Sequence, residues 1–441
     1  MAETQPPEVE LPAKAIDRLV APIERFLHVE AASGIVLLVA AIAALALANS
    51  PLSEGFLAFW ETPVEFSFGS FELSHSLRHW INDGVMAIFF FVIGLEVKRE
   101  LVIGELRDLR QASLPIAAAL GGMFAPAGVY LALQLGEPGQ AGWGIPMATD
   151  IAFVVGCMAV LGPRVPHGLR ILLLSLAIVD DIGAILVIAV GYTDTIHLGF
   201  LLGGFVAIAA MLGLERLGVR SLGLYVLCGV LIWLEFHESG VHATIAGVIL
   251  GLMTPARAYL SESLFANMLR RVDQVLHGEW SLLQHRAGQM RRFRRASREI
   301  VSPLEYLEHV LHPWVSFVIM PLFALANAGV PFSVSDFGEP VAMAVAAGLV
   351  VGKPAGVVLF SWVAVRLGLA ALPEGVGWGV LAGGGLLAGI GFTMALFIAG
   401  LALDGPTLDA AKVGILGASA VAAVLGMLVL SRLLPRPEPA D

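Results

Sequence analysis

Along this chain the polar positions fall in clusters, and the stretches between them are almost wholly apolar. Runs of roughly 20 mostly apolar residues, the length a helix needs to cross a bilayer, occur twelve times. They lie at 32–50, 80–103, 112–134, 142–162, 168–192, 197–215, 221–235, 240–256, 304–328, 341–367, 377–402 and 408–432. This pattern predicts an all-α polytopic membrane protein with twelve transmembrane helices in one domain, 32–432. Ahead of it, Ile16, Leu19, Val20, Ile23, Phe26 and Leu27 recur at helical spacing. They predict an amphipathic helix over 12–29, lying on the membrane surface within a cytoplasmic segment 1–31; residues 433–441 form a cytoplasmic tail. Between the first and second runs, VEFSFGSFELS alternates apolar and polar positions on both sides of Gly69-Ser70. That predicts a small extramembrane β-hairpin over 62–73. An isolated hairpin is marginal in water, which makes this one a candidate homodimer contact.

Composition narrows the class. With 57% hydrophobic and 14% charged residues and a mean hydropathy of +0.83, the chain cannot be a water-soluble domain, which carries about 25% charge. A net charge of −10 without a basic face excludes a nucleic-acid partner. If both termini are cytoplasmic, the positive-inside rule places lysine and arginine at the termini and in the even-numbered loops. All but three of the 26 lie there: Arg78 and Lys412 fall in odd loops and Lys353 inside a span. Residues 257–303 hold nine arginines and no lysine, an arginine-rich cytoplasmic loop suited to anionic membrane lipids. The first 30 residues are charged and have no apolar core, so no cleavable leader is expected. Cys157 and Cys228 lie in apolar runs and read as buried thiols.

An ionisable side chain inside a span costs a few kcal/mol, on the order of 3 by insertion scales, and is a functional candidate by default. Asp150 follows Thr149 in GIPMATDIAF, where Gly144 and Pro146 should break the fourth helix. Asp180 and Asp181 are adjacent in the fifth run and must point about 100° apart. Lys353, the one cation inside a span, is the natural partner for one of these aspartates. A second interruption is expected in AGGGLLAGIGFTMALF of the eleventh run, at Gly389 and Gly391 just before Thr393. Each interrupted run is the middle one of three, in 112–192 and 341–432, as in inverted repeats whose broken helices cross at the substrate site. Asp83 and the group Glu96, Arg99 and Glu100 lie at opposite ends of the second run, about 20 Å apart. Glu308, His309 and His312 open the ninth. A metal held by Glu308 and His312 is conceivable there, but a solvated acid and imidazole cluster is the better reading.

These segments resemble the NhaA family of bacterial sodium/proton antiporters over nearly the whole membrane domain. The resemblance rests on INDGVMAIFFFVIGLEVKREL, ATDIAF, IVDDIGAI, GVHATIAGVILG, HPWV, PLFALANAGV, GKPAGV and GIGFTMALFIAG. It implies twelve helices with inverted three-helix repeats and two discontinuous crossing helices. It further implies that Asp181, with Asp180 beside it, binds the transported Na⁺ and the proton in turn. Asp150 then compensates helix-end charge, Lys353 pairs with Asp180, and Glu96, Arg99, Glu100, Glu308 and His309 form a pH-sensing cluster. The implied activity is secondary active, electrogenic, pH-activated export of Na⁺ or Li⁺ against protons, without a cofactor, in the bacterial inner membrane. The arginine-rich loop departs from the family pattern and bears on pH regulation. Two other classes fit less well. A sodium-coupled organic solute symporter of the same fold would need more polar groups than Thr149, Ser175 and Thr393 around its site. An intramembrane aspartyl protease would need a GxGD context that this chain lacks, and would leave Lys353 without a task.

Overall fold

The computed structural model describes residues 30–68, 71–193, 196–219, 222–257, 301–332 and 334–435. The surface helix expected over 12–29, the Gly69-Ser70 turn, the arginine-rich loop from 258 to 300 and the end of the tail lie outside the described residues. Helix α1 (Glu30–Ala48) turns by 119° into the short α2 (Ser53–Trp60). Strands β1 (Pro63–Phe68) and β2 (Phe71–Ser76) then pair antiparallel, from Pro63↔Ser76 to Phe68↔Phe71. The sheet thus runs three residues beyond the expected hairpin, up to Ser76, whose side chain accepts from the His79 amide at 3.2 Å and caps the next helix.

That helix is α3 (Leu77–Val102). It is followed by α4 (Leu109–Gln134), a 3₁₀ stretch over Gln140–Met147, α5 (Ile151–Leu161) and α6 (His167–Gly191). Then come α7 (Leu198–Arg216), α8 (Leu222–Ser239), α9 (Thr244–Met253), α10 (Pro303–Asn327) and α11 (Pro340–Arg366). The pair α12 (Trp378–Ala388) and α13 (Phe392–Ala402) and the long α14 (Gly405–Leu433) complete the chain. Helix is present in every one of the twelve apolar runs. Among the described residues, eight helices are long and apolar enough to cross a membrane, and ten if each bent pair counts as one span. The count falls short of twelve partly because α9 has only ten residues, about 15 Å of helix against a hydrocarbon core of about 30 Å.

Helices approach closely where glycine removes the side chain. A Cβ on Gly121 of α4 would come within 2.7 Å of Phe360 Cβ on α11, and one on Gly356 of α11 would run into the Gly121 carbonyl. Between α9 and α3, a Cβ on Gly251 would lie 2.7 Å from Gly94 Cα. Polar side chains add a tie between α3 and α10. Asn327 Nδ2 donates to Asn82 Oδ1 at 2.8 Å, and Asn82 Nδ2 donates back to Asn327 Oδ1 at 3.3 Å. One large core joins most helices, while Met211, Ile232, Phe236 and Ala246 form a separate cluster uniting α7, α8 and α9. The far face of α7 leaves Leu202, Phe205 and Val206 exposed, as a surface against lipid requires. Cys157 is buried and Cys228 half-buried, and both are free thiols, so burial holds fully only for the first.

Candidate functional site

Two interruptions of helix meet in the middle of the large core. The first is Ala148-Thr149-Asp150, extended between the 3₁₀ stretch and α5. Pro146 has no amide hydrogen and favours an extended residue before it, so the backbone near it leaves the helical ladder easily. The second is Gly389-Ile390-Gly391, where α12 and α13 meet at 49°. Only glycine fits at 389, because a Cβ there would strike the Leu349 carbonyl of α11. The two breaks bond to each other directly, the Asp150 amide donating to the Ile390 carbonyl at 2.7 Å.

Asp150 occupies the point where two helix N-termini converge. Its Oδ1 accepts from the Phe153 amide at 3.2 Å, capping α5, and its Oδ2 accepts from the Thr393 amide at 3.1 Å and from the Thr393 hydroxyl, capping α13. Each N-terminus carries roughly half a positive charge, so one carboxylate balances both. The Phe392 amide beside it donates to Ser419 Oγ of α14 at 3.1 Å. The opposing helix ends are carbonyl ends. Lys353 Nζ donates to the Met147 carbonyl at the end of the 3₁₀ stretch. Thr149 Oγ1 lies 2.9 Å from the Ala388 carbonyl at the end of α12 and 2.8 Å from Asp180 Oδ2, with one hydroxyl proton for the two acceptors.

Lys353 is fully buried, and its Nζ lies 2.6 Å from Asp180 Oδ2. A π-helical turn over Gly348–Gly352 immediately precedes it; Pro354, lacking an amide hydrogen, cannot continue the α-helical ladder there. On α4, Gly122 leaves space for this pair, since a Cβ on it would lie 3.5 Å from Lys353 Cε and 3.8 Å from Asp180 Oδ1. The second oxygen of Asp180, Oδ1, is buried without a hydrogen-bond partner among the described residues. Asp181 is also buried, and among the described residues its interactions are electrostatic only, with Glu96, Asp180, Lys353 and Asp150. The geometry therefore sets one lysine-paired carboxylate beside one that faces no hydrogen-bond donor.

The other expected groups lie elsewhere. Arg99 forms an ion pair with Glu308 and lies 3.6 Å from Glu100, whose Oε2 accepts from the Glu105 amide at 3.1 Å. Glu96 lies near enough to Glu308, Arg99 and Glu100 to feel their charges. His309 is exposed, beside Glu308 in sequence but outside these ion pairs. Asp83 does not join the crossing. It sits at the opposite end of α3, with His79, His237 and His242 at 3.5, 3.7 and 3.8 Å. Next to it, burial and then the nearby His79 and His237 hold the His75 imidazole below its usual range. Sequence reasoning missed this histidine group, although His79 and Asp83 at i and i+4 were a visible signal. It also missed Ser419 and the Met147 carbonyl, for which the sequence carries none.

Comparison with known proteins covers nearly the full length. The family model for Na⁺/H⁺ antiporter 1 matches residues 24–430. The Na⁺/H⁺ antiporter NhaA of Rhodopirellula baltica is 57% identical over 97% of each chain. That of Rhizobium meliloti is 54% identical over 96% of this chain and 97% of its own. The Na⁺/H⁺ antiporter NhaA 2 of Vibrio vulnificus is 51% identical over 95% of this chain and 94% of its own.

Proposed function

Because the chain belongs to the Na⁺/H⁺ antiporter 1 family, we propose that it is a secondary active sodium/proton antiporter that exports Na⁺, or Li⁺, in exchange for protons. The observation that carries the residue assignment is the unequal aspartate pair at the crossing of two broken helices: Asp180 held by Lys353, and Asp181 buried beside it facing no hydrogen-bond donor among the described residues. A desolvated cation needs carboxylate oxygens and free backbone carbonyls. Asp181 with Oδ1 of Asp180 supplies the first, and the second requires the Ala388 carbonyl, which shares the single Thr149 hydroxyl proton with Asp180, to turn a lone pair to the ion. Na⁺ and proton compete for Asp181, so a single site serves both in turn, and alternating access carries them in opposite directions.

In this reading the chain lies in the bacterial inner membrane with both termini cytoplasmic, and its domain 32–432 crosses twelve times. The inverted repeats are 112–192 and 341–432, related about the crossing. Two copies associate through the hairpin, which leaves one edge of each strand open in its two-stranded sheet. Exchange is electrogenic and rises with pH. Protons leave the competition as pH increases, and the Glu96, Arg99, Glu100 and Glu308 group, with His309 at its rim, adds a separate control. Proton efflux from everted membrane vesicles on addition of Na⁺, Li⁺ or K⁺, without organic solute, tests the activity. Na⁺ and Li⁺ are expected to release protons, and Asp181→Asn to abolish both that release and Na⁺ binding. Normal exchange by this variant would overturn the assignment of Asp181. Rate against pH at saturating Na⁺ tests the separate control, which is absent if saturation erases the pH dependence.

A further inference from the structure

Three histidines from three separate segments converge at the hairpin end of α3. His75 is near the end of β2, His79 lies in the first turn of α3 and His237 in the last turn of α8. One ring nitrogen from each lies within 4.8 Å of the others, and among the described residues this is the one group of three or more metal-type ligands so placed. The Nε2 atoms of His75 and His237 are 3.3 Å apart. Two imidazole nitrogens bound at 2.0–2.1 Å in a tetrahedral shell lie about 3.3–3.4 Å apart, so this pair is already at ligand spacing.

The surroundings fix the rings. His75 stacks on His79 with centroids 4.2 Å apart, and His237 stacks on Trp233 at 5.4 Å with 12° between planes. Trp233 is held in turn by its indole N–H, which donates to the Asp83 carbonyl at 3.0 Å. Asp83 stands behind the group, its Oδ2 3.7 Å from His237 Nδ1. A carboxylate on that side favours the tautomer with its proton on Nδ1, which would leave the lone pair of Nε2 facing His75, the arrangement by which second carboxylates orient histidine ligands. Among the described residues His79 Nε2 is buried without a hydrogen-bond partner, with the Asp83 carboxylate 3.5 Å away.

We propose that His75, His79 and His237 bind one divalent transition-metal ion, with Asp83 orienting the ligands and solvent completing the shell. A set of neutral imidazoles suits Zn²⁺, Cu²⁺ or Ni²⁺ and not the hard, oxygen-seeking alkali cations, which separates this site from the one at the helix crossing. The bound ion ties the hairpin, α3 and α8 together. It thereby adds a bond between the α7–α9 cluster and the large core.

The test uses the full-length, untagged chain purified in detergent and stripped of metal, titrated with Zn²⁺ against a competing indicator. One Zn²⁺ per chain is expected. His75→Gln and His237→Gln should each weaken binding by more than about a hundredfold, and Asp83→Asn by about ten- to a hundredfold. Co²⁺ should give the visible absorption of a tetrahedral nitrogen site in the parent and lose it in His237→Gln. His79→Gln, at the partly exposed start of α3, is the variant with least risk to folding and must also weaken binding. Absence of a stoichiometric Zn²⁺ site in the parent would reduce the cluster to a hydrogen-bonded histidine pair, and unchanged affinity in His79→Gln and His237→Gln would equally overturn it. Neither readout involves Na⁺ exchange, so the result stands apart from the antiport reading.

Discussion

Adjacent aspartates on a helix diverge by about 100°, and on α6 that divergence gives Asp180 a lysine at 2.6 Å and, among the described residues, leaves Asp181 facing no donor. Removing one partner of a buried ion pair strands the other charge, at a cost of about 3–5 kcal/mol, whereas removing both is far milder. Lys353→Met alone is therefore expected to lower the melting temperature in detergent markedly, and Asp180→Asn with Lys353→Met to restore most of it. Equal instability of the single and double variants would mean that the pair does not hold α6 to α11. Asp150→Asn retains an oxygen acceptor for the converging amides but not the charge that balances them. It should fold, and should raise the Na⁺ concentration for half-maximal exchange several-fold. The aspartates and Lys353 were legible in the sequence because an ionisable group in an apolar run has few reasons to be there. His75, His79 and His237 were not, because their meeting depends on how a strand end and two helix ends are brought together. For His309, the family resemblance implied a place in the pH-sensing cluster; consecutive helical residues face different sides, and His309 is exposed where Glu308 pairs with Arg99.

Among the elements, both helix breaks could be read in advance. Glycine and proline act locally, and the interruptions observed at 148–150 and 389–391 adjoin the residues that caused the expectation. The hairpin was legible for the same kind of reason, a period of two on both sides of a turn pair. The ten-residue length of α9 was not, since the apolar run at 240–256 begins four residues before the helix starts at Thr244 and ends three after it stops at Met253, and apolar content alone does not mark either end. The glycines that set helix separation could be counted but not paired. Gly356 and Gly121 show what the pairing does, because the two backbones touch one turn away from Lys353. Gly356→Ala must push α4 and α11 apart, at about 1–3 kcal/mol for overpacking, and carry the ammonium away from Asp180. A lower melting temperature together with weaker Na⁺ exchange is expected. Gly213→Ala on α7 is the control, for nothing lies within 4 Å of its added Cβ, and it should be neutral or slightly stabilising. If the two substitutions behave alike, the glycine contact does not set the distance between these helices.

At the scale of the whole molecule, the hairpin is a two-stranded sheet among the described residues, and pairing across a two-fold axis would extend it through main-chain hydrogen bonds. Deleting residues 62–73 should convert a dimer into monomers in detergent, measured by light scattering, while leaving vesicle exchange largely intact because the crossing lies within one chain. A dimer of unchanged size after the deletion would remove the hairpin from the interface. The double cap at Asp150 has a consequence of another kind. With its negative charge cancelled by two helix ends of about half a charge each, and with Asp180 cancelled by Lys353, the crossing retains one uncompensated charge, that of Asp181. Swapping one Na⁺ for one proton on that single charge transfers nothing across the membrane field, and the resting potential can do no work on such a cycle. To draw on it, at about 2.3 kcal/mol per elementary charge per 100 mV, the cycle would need a second proton, and the Asp180–Lys353 bond is the buried ion pair at the crossing where we propose it enters. If the proposed site roles hold, how steeply the rate responds to an imposed potential would report how often that buried bond opens in each turnover.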